Sequence, residues 1–217
     1  MSFWQILHLL AQGAGYTALV TVACSATGMA TGLGVAVLHR LGGRRLRVLL
    51  GLLTYAFRAV PVLVLLFIVF FGLPNIGVSV PPLVSMMLSL GLIAGAYLAE
   101  VFRGAFDSID ADEILAAEAM GMTRVQTLMY VELPQMLRLA VPGMVNEFTT
   151  VLKYSPFAYT VGIPEVTKQA MALSAVTLRG LEIYFAVGLL YFAIYKILVT
   201  AVWAWEKRCR VPGLGRT

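Results

Sequence analysis

The chain has 217 residues, of which 60% are hydrophobic and 12% charged, with a net charge of +5. Soluble domains carry roughly 25% charged residues, so these proportions exclude one and identify an integral membrane protein. The positive balance does not imply nucleic acid, because no basic patch is interleaved with aromatic residues; the Arg and Lys residues cluster beside apolar runs, where they report topology.

Residues 2–12 set Phe3, Trp4, Ile6, Leu7, Leu9 and Leu10 among Gln5, His8 and Gln12, a pattern that predicts a short helix lying along an interface with His8 on its solvated face. The first 38 residues contain no Lys, Arg, Asp or Glu. A cleaved signal peptide begins with a basic stretch, so the first span is expected to be retained. That span, 16–38, is uncharged and long enough to cross a ~30 Å hydrocarbon layer at ~1.5 Å per residue. Gly28 and Gly32 within it have the spacing of a close-packing pair.

Residues 39–47, HRLGGRRLR, hold four arginines directly after this span. The positive-inside rule places them in the cytoplasm and the N-terminus outside. The second span is 49–72, with Arg58 and Pro61 near its cytoplasmic start, where Pro61 kinks or begins the membrane helix. An uncharged outer turn, 73–81, leads to the third span, 82–103, which carries Tyr97 and Glu100 near the cytoplasmic end and Arg103 at the boundary. A carboxylate here must be paired or wet. The i, i+3 spacing favours a structural Glu100–Arg103 pair, with a role in a polar path as the alternative.

The loop 105–132 contains the polar-bearing stretch EILAAEAMGMTRVQTLMYVELP, 113–134. Its front half is rich in helix formers, and Gly121 can stop that helix in a left-handed cap. A second short helix fits 123–133. Leu115, Ala119 and Met122 share one face at i, i+4, i+7, ringed by Glu113, Glu118 and Arg124. This ridge is too small to form a core, so it reads as a docking element for a partner, with an amphipathic segment in the lipid headgroups as the alternative.

The fourth span, 133–152, holds Pro142, Asn146 and Glu147, with Lys153 at its outer end. Glu147 faces a bundle interior, a wet cavity, or a pairing partner such as Lys153 or a neighbouring subunit. Asn146 and Glu147 point ~100° apart on a helix and need not line the same space. Residues 154–179 are apolar but interrupted by Pro156, Pro164, Glu165 and Lys168. Charge parity excludes them as a span: HRLGGRRLR and EKRCR at 206–210 share the cytoplasmic side only if an even number of crossings separates them. The fifth span, 181–205, has Trp203 and Trp205 as its inner aromatic belt.

Cys24 and Cys209 lie far apart and imply neither a disulfide nor a metal site. No Gly-x-x-x-x-Gly-Lys-Ser/Thr phosphate loop occurs, so ATP is not bound by that means. His8 and His39 stand in no ligand pattern, and no Gly-x-Ser-x-Gly is present, leaving hydrolase and metal chemistry without support.

The spacing Ala116-Ala117, Gly121, nine residues, then Val131-x-Leu133-Pro134 resembles the cytoplasmic EAA loop of ABC importer permeases. Leu115 stands where that family has its leading Glu, with carboxylates at Glu113 and Glu118 instead. Further residues narrow the resemblance to polar amino acid importers of the histidine, glutamine and arginine type: Arg58-Ala-Val-Pro61, Phe71-Gly-Leu-Pro74, AYLAEVFRG at 96–104, Gln126-Thr127, Leu133-Pro-Gln135, Pro142, Asn146, Leu152-Lys153 and Gly162-Ile-Pro-Glu165. Where relatives often carry Lys-Asp-Thr-Ser, this chain has Lys153-Tyr154-Ser155-Pro156.

The resemblance implies an all-α, multi-pass, non-catalytic permease of the type I ABC importer kind in a bacterial cytoplasmic (inner) membrane, in contact with lipid. It implies a second permease subunit, identical or paralogous, two ATPase subunits carrying ATP and Mg, an extracytoplasmic solute-binding protein and a polar amino acid substrate, with no cofactor in this chain. Coupling to the ATPase would fall on Glu113, Leu115, Ala116, Ala117, Glu118, Ala119 and Gly121. Candidates for the substrate path are Tyr97, Glu100, Asn146, Glu147, Lys153 and Ser155. Two other classes stay open: a membrane scaffold whose polar loop recruits a soluble partner, and half of an ion-coupled secondary transporter with Glu147 as a proton or cation site. Five spans without an inverted repeat argue against the last.

Overall fold

The computed structural model describes residues 1–209, with side chains described through Ala204, and contains helices and no strands among them. Trp205, the basic stretch at 206–210 and the Cys209 side chain, all used above, lie outside the described side chains. Phe3–Leu41, Pro82–Asp107 and Gly180–Ala204 are long and apolar enough to cross a membrane, and the bent pair Arg44–Ala59 with Val62–Ile76 is a fourth candidate.

Helix α1 (Phe3–Leu41) runs unbroken for 39 residues. The separate interfacial helix expected over 2–12 is therefore absent as such: it is the first third of α1. Ser2 starts it with a capping box, its backbone N–H donating to Gln5 Oε1 at 2.8 Å. Ile6 and Leu10, expected at an interface, are buried with Ala170, Ile183 and Ala186. Gly13, rather than breaking the helix, permits a close approach: a Cβ there would lie 2.7 Å from the Val166 nitrogen.

Helix α2 (Arg44–Ala59) ends at Val60, which is extended because it precedes Pro61. Pro61 then begins α3 (Val62–Phe67), as expected, and the chain runs on in helical turns to Ile76. The two halves meet at 96°, so the residues expected as one second span, 49–72, form two helices at nearly a right angle.

Helix α4 (Pro82–Asp107) is the most enclosed, and α1 is its main neighbour. Small residues make the seam between them. A Cβ on Gly32 would sit 2.8 Å from the Gly95 oxygen and 2.8 Å from Leu98 Cβ, and one on Gly91 would sit 2.9 Å from Thr27 Cβ. Backbones thus touch where side chains would otherwise hold them apart. Thr27 and Thr31 donate their hydroxyls to carbonyls one turn back in α1, at 2.9 and 2.7 Å, so these two polar groups are satisfied within the helix.

Helix α5 (Ala111–Ala119) and helix α6 (124–139) follow. Pro134 would clash with a carbonyl one turn earlier in a regular helix. A wider turn over Leu128–Glu132 absorbs it. Ala140 separates α6 from α7 (Val141–Tyr154), whose second residue is Pro142. The fourth span expected over 133–152 is accordingly two helices rather than one. Ser155–Val161 forms a tight turn, and α8 (Val166–Thr177) has 12 residues, about 18 Å, too short to cross ~30 Å. Helix α9 (Gly180–Cys209) is the last described element.

Three buried clusters are strung along α1. Ile6 and Leu10 meet α8 and α9; Val20 and Cys24 meet Leu66, Met86, Leu90 and Val151; Ala36 meets Leu98, Phe102, Phe106, Leu128 and Met136. The last cluster is the platform beneath α5 and α6.

Candidate functional site

Local chemistry shapes the α5–α6 elbow. Asp110 caps α5, its Oδ1 accepting from the Asp112 N–H at 3.0 Å, and Asp112 and Glu113 add negative charge to the first turn. Gly121 takes φ +83, the left-handed conformation expected of it. Its N–H donates to the Glu118 carbonyl at 2.9 Å and the Met122 N–H donates to the Ala117 carbonyl at 3.2 Å, satisfying the helix end. Thr123 then caps α6, its N–H donating to Gln126 Oε1 at 2.8 Å.

Of the expected docking residues only Ala117 is buried; Glu113, Leu115, Ala116, Glu118, Ala119 and Gly121 are exposed. Met122 is half-buried, so the ridge does not end there as its spacing suggested. It continues instead through Met120, Val125, Met129 and Tyr130, exposed at 84%, 56%, 50% and 74%. Val125 and Met129 are i, i+4 neighbours on the second helix, and that apolar pair was the signal the sequence reading passed over.

Side chains distant in sequence hold this surface in place. Arg40 Nε donates to Glu132 Oε2 at 2.5 Å, Glu132 being buried, and the Arg40 guanidinium lies 5.7 Å from the Phe106 ring centroid. Arg124 Nη2 donates to the Arg40 carbonyl at 2.7 Å. Gln135 Nε2 donates to Glu113 Oε2, so this carboxylate has a partner within the chain. The elbow is thus an apolar surface on a rigid mount.

The second set of candidates is divided by the structure. Tyr97 is 39% exposed on α4, with the Arg58 guanidinium 5.0 Å from its ring centroid. Glu100 pairs with Arg103 at 2.7 Å and Arg103 with Asp107 at 3.1 Å, the structural pairing favoured by spacing. Asn146 is exposed while Glu147 is buried, as their ~100° separation on α7 allows. Glu147 and Lys153 form no ion pair among the described residues; six residues apart on a helix, they point to different sides. Ser155 is fully buried, its Oγ donating to the Leu152 carbonyl at 2.8 Å, while Lys153 is exposed.

Glu165, read from sequence as an interruption and as part of the Gly162-Ile-Pro-Glu165 resemblance but given no role, is fully buried at the start of α8. It accepts from the Thr167 and Lys168 N–H groups, both at 2.7 Å, and from the Tyr191 hydroxyl at 2.9 Å. It joins α8 to α9. No group of three His, Cys, Asp or Glu side chains able to hold a metal occurs among the described residues.

A family model for the inner membrane component of binding-protein-dependent transport systems matches residues 28–211. The chain is 30% identical over 186 residues to the probable amino-acid ABC transporter permease protein YckA of Bacillus subtilis (strain 168), covering 86% of this chain and 82% of that protein. It is 28% identical over 212 residues to the glutamine transport system permease protein GlnP of Escherichia coli (strain K12), covering 97% of each. Among solved structures, the crystal structure of an amino acid ABC transporter with histidines aligns with a TM-score of 0.84 at 26% identity, over 96% of this chain and 99% of that one.

Proposed function

This chain belongs to the family of inner membrane components of binding-protein-dependent transport systems, and on that premise we propose that it forms the translocation path of an ATP-driven importer for a polar amino acid. It acts as a permease subunit without catalytic chemistry of its own. It pairs with a second permease, identical or paralogous, and with two ATPase subunits that hold ATP and Mg, and receives substrate from an extracytoplasmic binding protein. It crosses the bacterial inner membrane five times, N-terminus outside. Arg44, Arg45 and Arg47 keep the α1–α2 turn in the cytoplasm, and the two-helix unit of α6 and α7 serves as the fourth span.

The observation that carries this reading is the α5–α6 elbow, which exposes Leu115, Met120, Val125 and Tyr130 while Arg40 and Glu132 fasten its base. An apolar ridge on a fixed mount suits a groove on a partner, and rigid-body motion of that partner would reach the spans through the platform of Phe102, Phe106, Leu128 and Met136. For the path itself, accessible polar groups include Arg58, Tyr97, Asn146 and Lys153, with Glu100 available only by leaving Arg103. They supply cations, an aromatic hydroxyl and an amide, and with a carboxylate would make the complement of a zwitterionic amino acid. Glu147, a buried carboxylate, is the group a path would reach on opening.

Uptake of radiolabelled amino acids into proteoliposomes containing the permease, its ATPase and its binding protein tests the proposal. Uptake is expected only with ATP inside the compartment that holds the elbow. Uptake driven by an ion gradient without ATP would replace this reading with a secondary transporter.

A further inference from the structure

Two cavities adjoin at the α1–α2 turn. The first, ≈140 Å³, lies among Arg40, Arg47, Arg103, Phe106, Asp107 and Arg124. The second, ≈160 Å³, is walled mainly by Val35, Leu50, Gly51, Thr54 and Ala99, with the paired Glu100 at its edge. Ala36, His39 and Arg103 line both, so the two are continuous. On each helix the second cavity is the deeper one. Val35 precedes Arg40 on α1, Leu50 and Thr54 follow Arg47 on α2, and Ala99 precedes Arg103 on α4.

The basic cavity has unused donors. Arg40 is engaged by Glu132 and Arg103 by Glu100 and Asp107. Arg47 and Arg124 have no carboxylate partner among the described residues. They are held by carbonyls instead, Arg47 Nε donating to Gly42 at 2.9 Å and Arg124 Nη2 to Arg40 at 2.7 Å. Each guanidinium has five N–H donors in a planar fork, so each keeps donors for an oxyanion after its carbonyl bond is made. Counting every carboxylate paired nearby, Glu100, Asp107 and Glu132, four arginines still exceed three acids.

A charged, donor-rich pocket opening into an apolar slot has the polarity of a phospholipid. We propose that this composite cavity binds an anionic phospholipid, its phosphate between Arg47 and Arg124 and its first acyl carbons along Leu50, Gly51 and Thr54. The proposal rests on the inward placement of the α1–α2 turn given above, where anionic headgroups meet basic pockets between helices. The lipid would tie α2 to α6, the helix that carries half of the elbow.

The test uses the purified full-length chain, exchanged into phosphatidylcholine nanodiscs and titrated with phosphatidylglycerol, with inorganic phosphate as competitor. Bound lipid is counted by native mass spectrometry. Arg47→Gln with Arg124→Gln should lower phosphatidylglycerol retention roughly tenfold or more. Arg44→Gln with Arg45→Gln removes the same number of charges, both outside the cavity, leaves Arg40 and Arg47 to hold the turn inward, and should change it less than about twofold. Gly51→Leu, at a position with no atom within 4 Å of an added Cβ, fills the slot and should lower retention while leaving the arginines intact, which keeps the test open if the double arginine variant fails to fold. Equal losses in the two arginine pairs, equal retention of the two lipids, unchanged retention in Gly51→Leu, or displacement of the lipid by inorganic phosphate would each overturn the proposal. No transport or ATPase assay enters, so failure of the importer reading would be seen separately.

Discussion

The α1–α4 seam and the α5–α6 elbow solve opposite problems. In the seam, Gly28, Gly32, Gly91 and Gly95 remove side chains so that two helices meet backbone to backbone, and nothing there is left for a partner. The elbow does the reverse: above its buried platform, Leu115, Met120, Val125, Met129 and Tyr130 stay exposed, and caps and a few charged hydrogen bonds fix their mount. The contrast separates the part of the chain that is packed shut from the part that, on the proposed reading, a partner grips.

The largest effect is expected where the seam is broken. Gly32→Val would press a side chain into the Gly95 carbonyl and Leu98, neither of which can rotate away. It should destabilise the chain by about 3 kcal/mol or more, seen as loss of folded protein or a collapsed thermal transition. A near-normal transition would mean the seam is looser than its geometry.

An intermediate effect is expected at the mount. Glu132→Gln leaves Arg40 without its counter-charge. Removing one partner of a fully buried pair costs roughly 3–5 kcal/mol, but the Arg40 side chain is 32% exposed, so about 1–3 kcal/mol is expected. Thermal unfolding should register it, and limited proteolysis should become faster within 108–132 before the seam opens.

The smallest effect is expected at the elbow's hinge residue. Gly121→Val has no neighbour to clash with, so only the φ of +83 penalises it, by about 1–2 kcal/mol. Gly121→Asn should cost less, because Asn tolerates the left-handed region. Comparison of the two unfolding curves checks that the penalty is conformational.

These sites differ in how legible they were. The Gly121 cap and the Glu100–Arg103 pair were readable because each depends on residues within one or two turns. The Gly28–Gly32 spacing was readable as a motif, but its partners Gly91 and Gly95 carry no mark in sequence that assigns them. The Arg40–Glu132 bond joins residues 92 positions apart, and the interfacial reading of residues 2–12 failed because Ile6 and Leu10 are buried by α8 and α9, elements more than a hundred residues away. Composition marked 49–72 and 133–152 as apolar helical runs, and each is two helices in the structure. Their breaks at Val60 and Ala140 follow from Pro61 and Pro142, prolines whose effect on continuity was expected at the first and overlooked at the second.

The central claim is that the elbow is the surface an ATPase grips. Met120→Cys, in a chain with Cys24 and Cys209 replaced, places a thiol at the most exposed point of the elbow; Val176→Cys places one at a comparably exposed point of α8. Cross-linking with a short bifunctional reagent in the purified complex should join the ATPase to position 120 and not to position 176. An intact complex in which position 120 stays free, or in which position 176 cross-links equally well, would contradict the account.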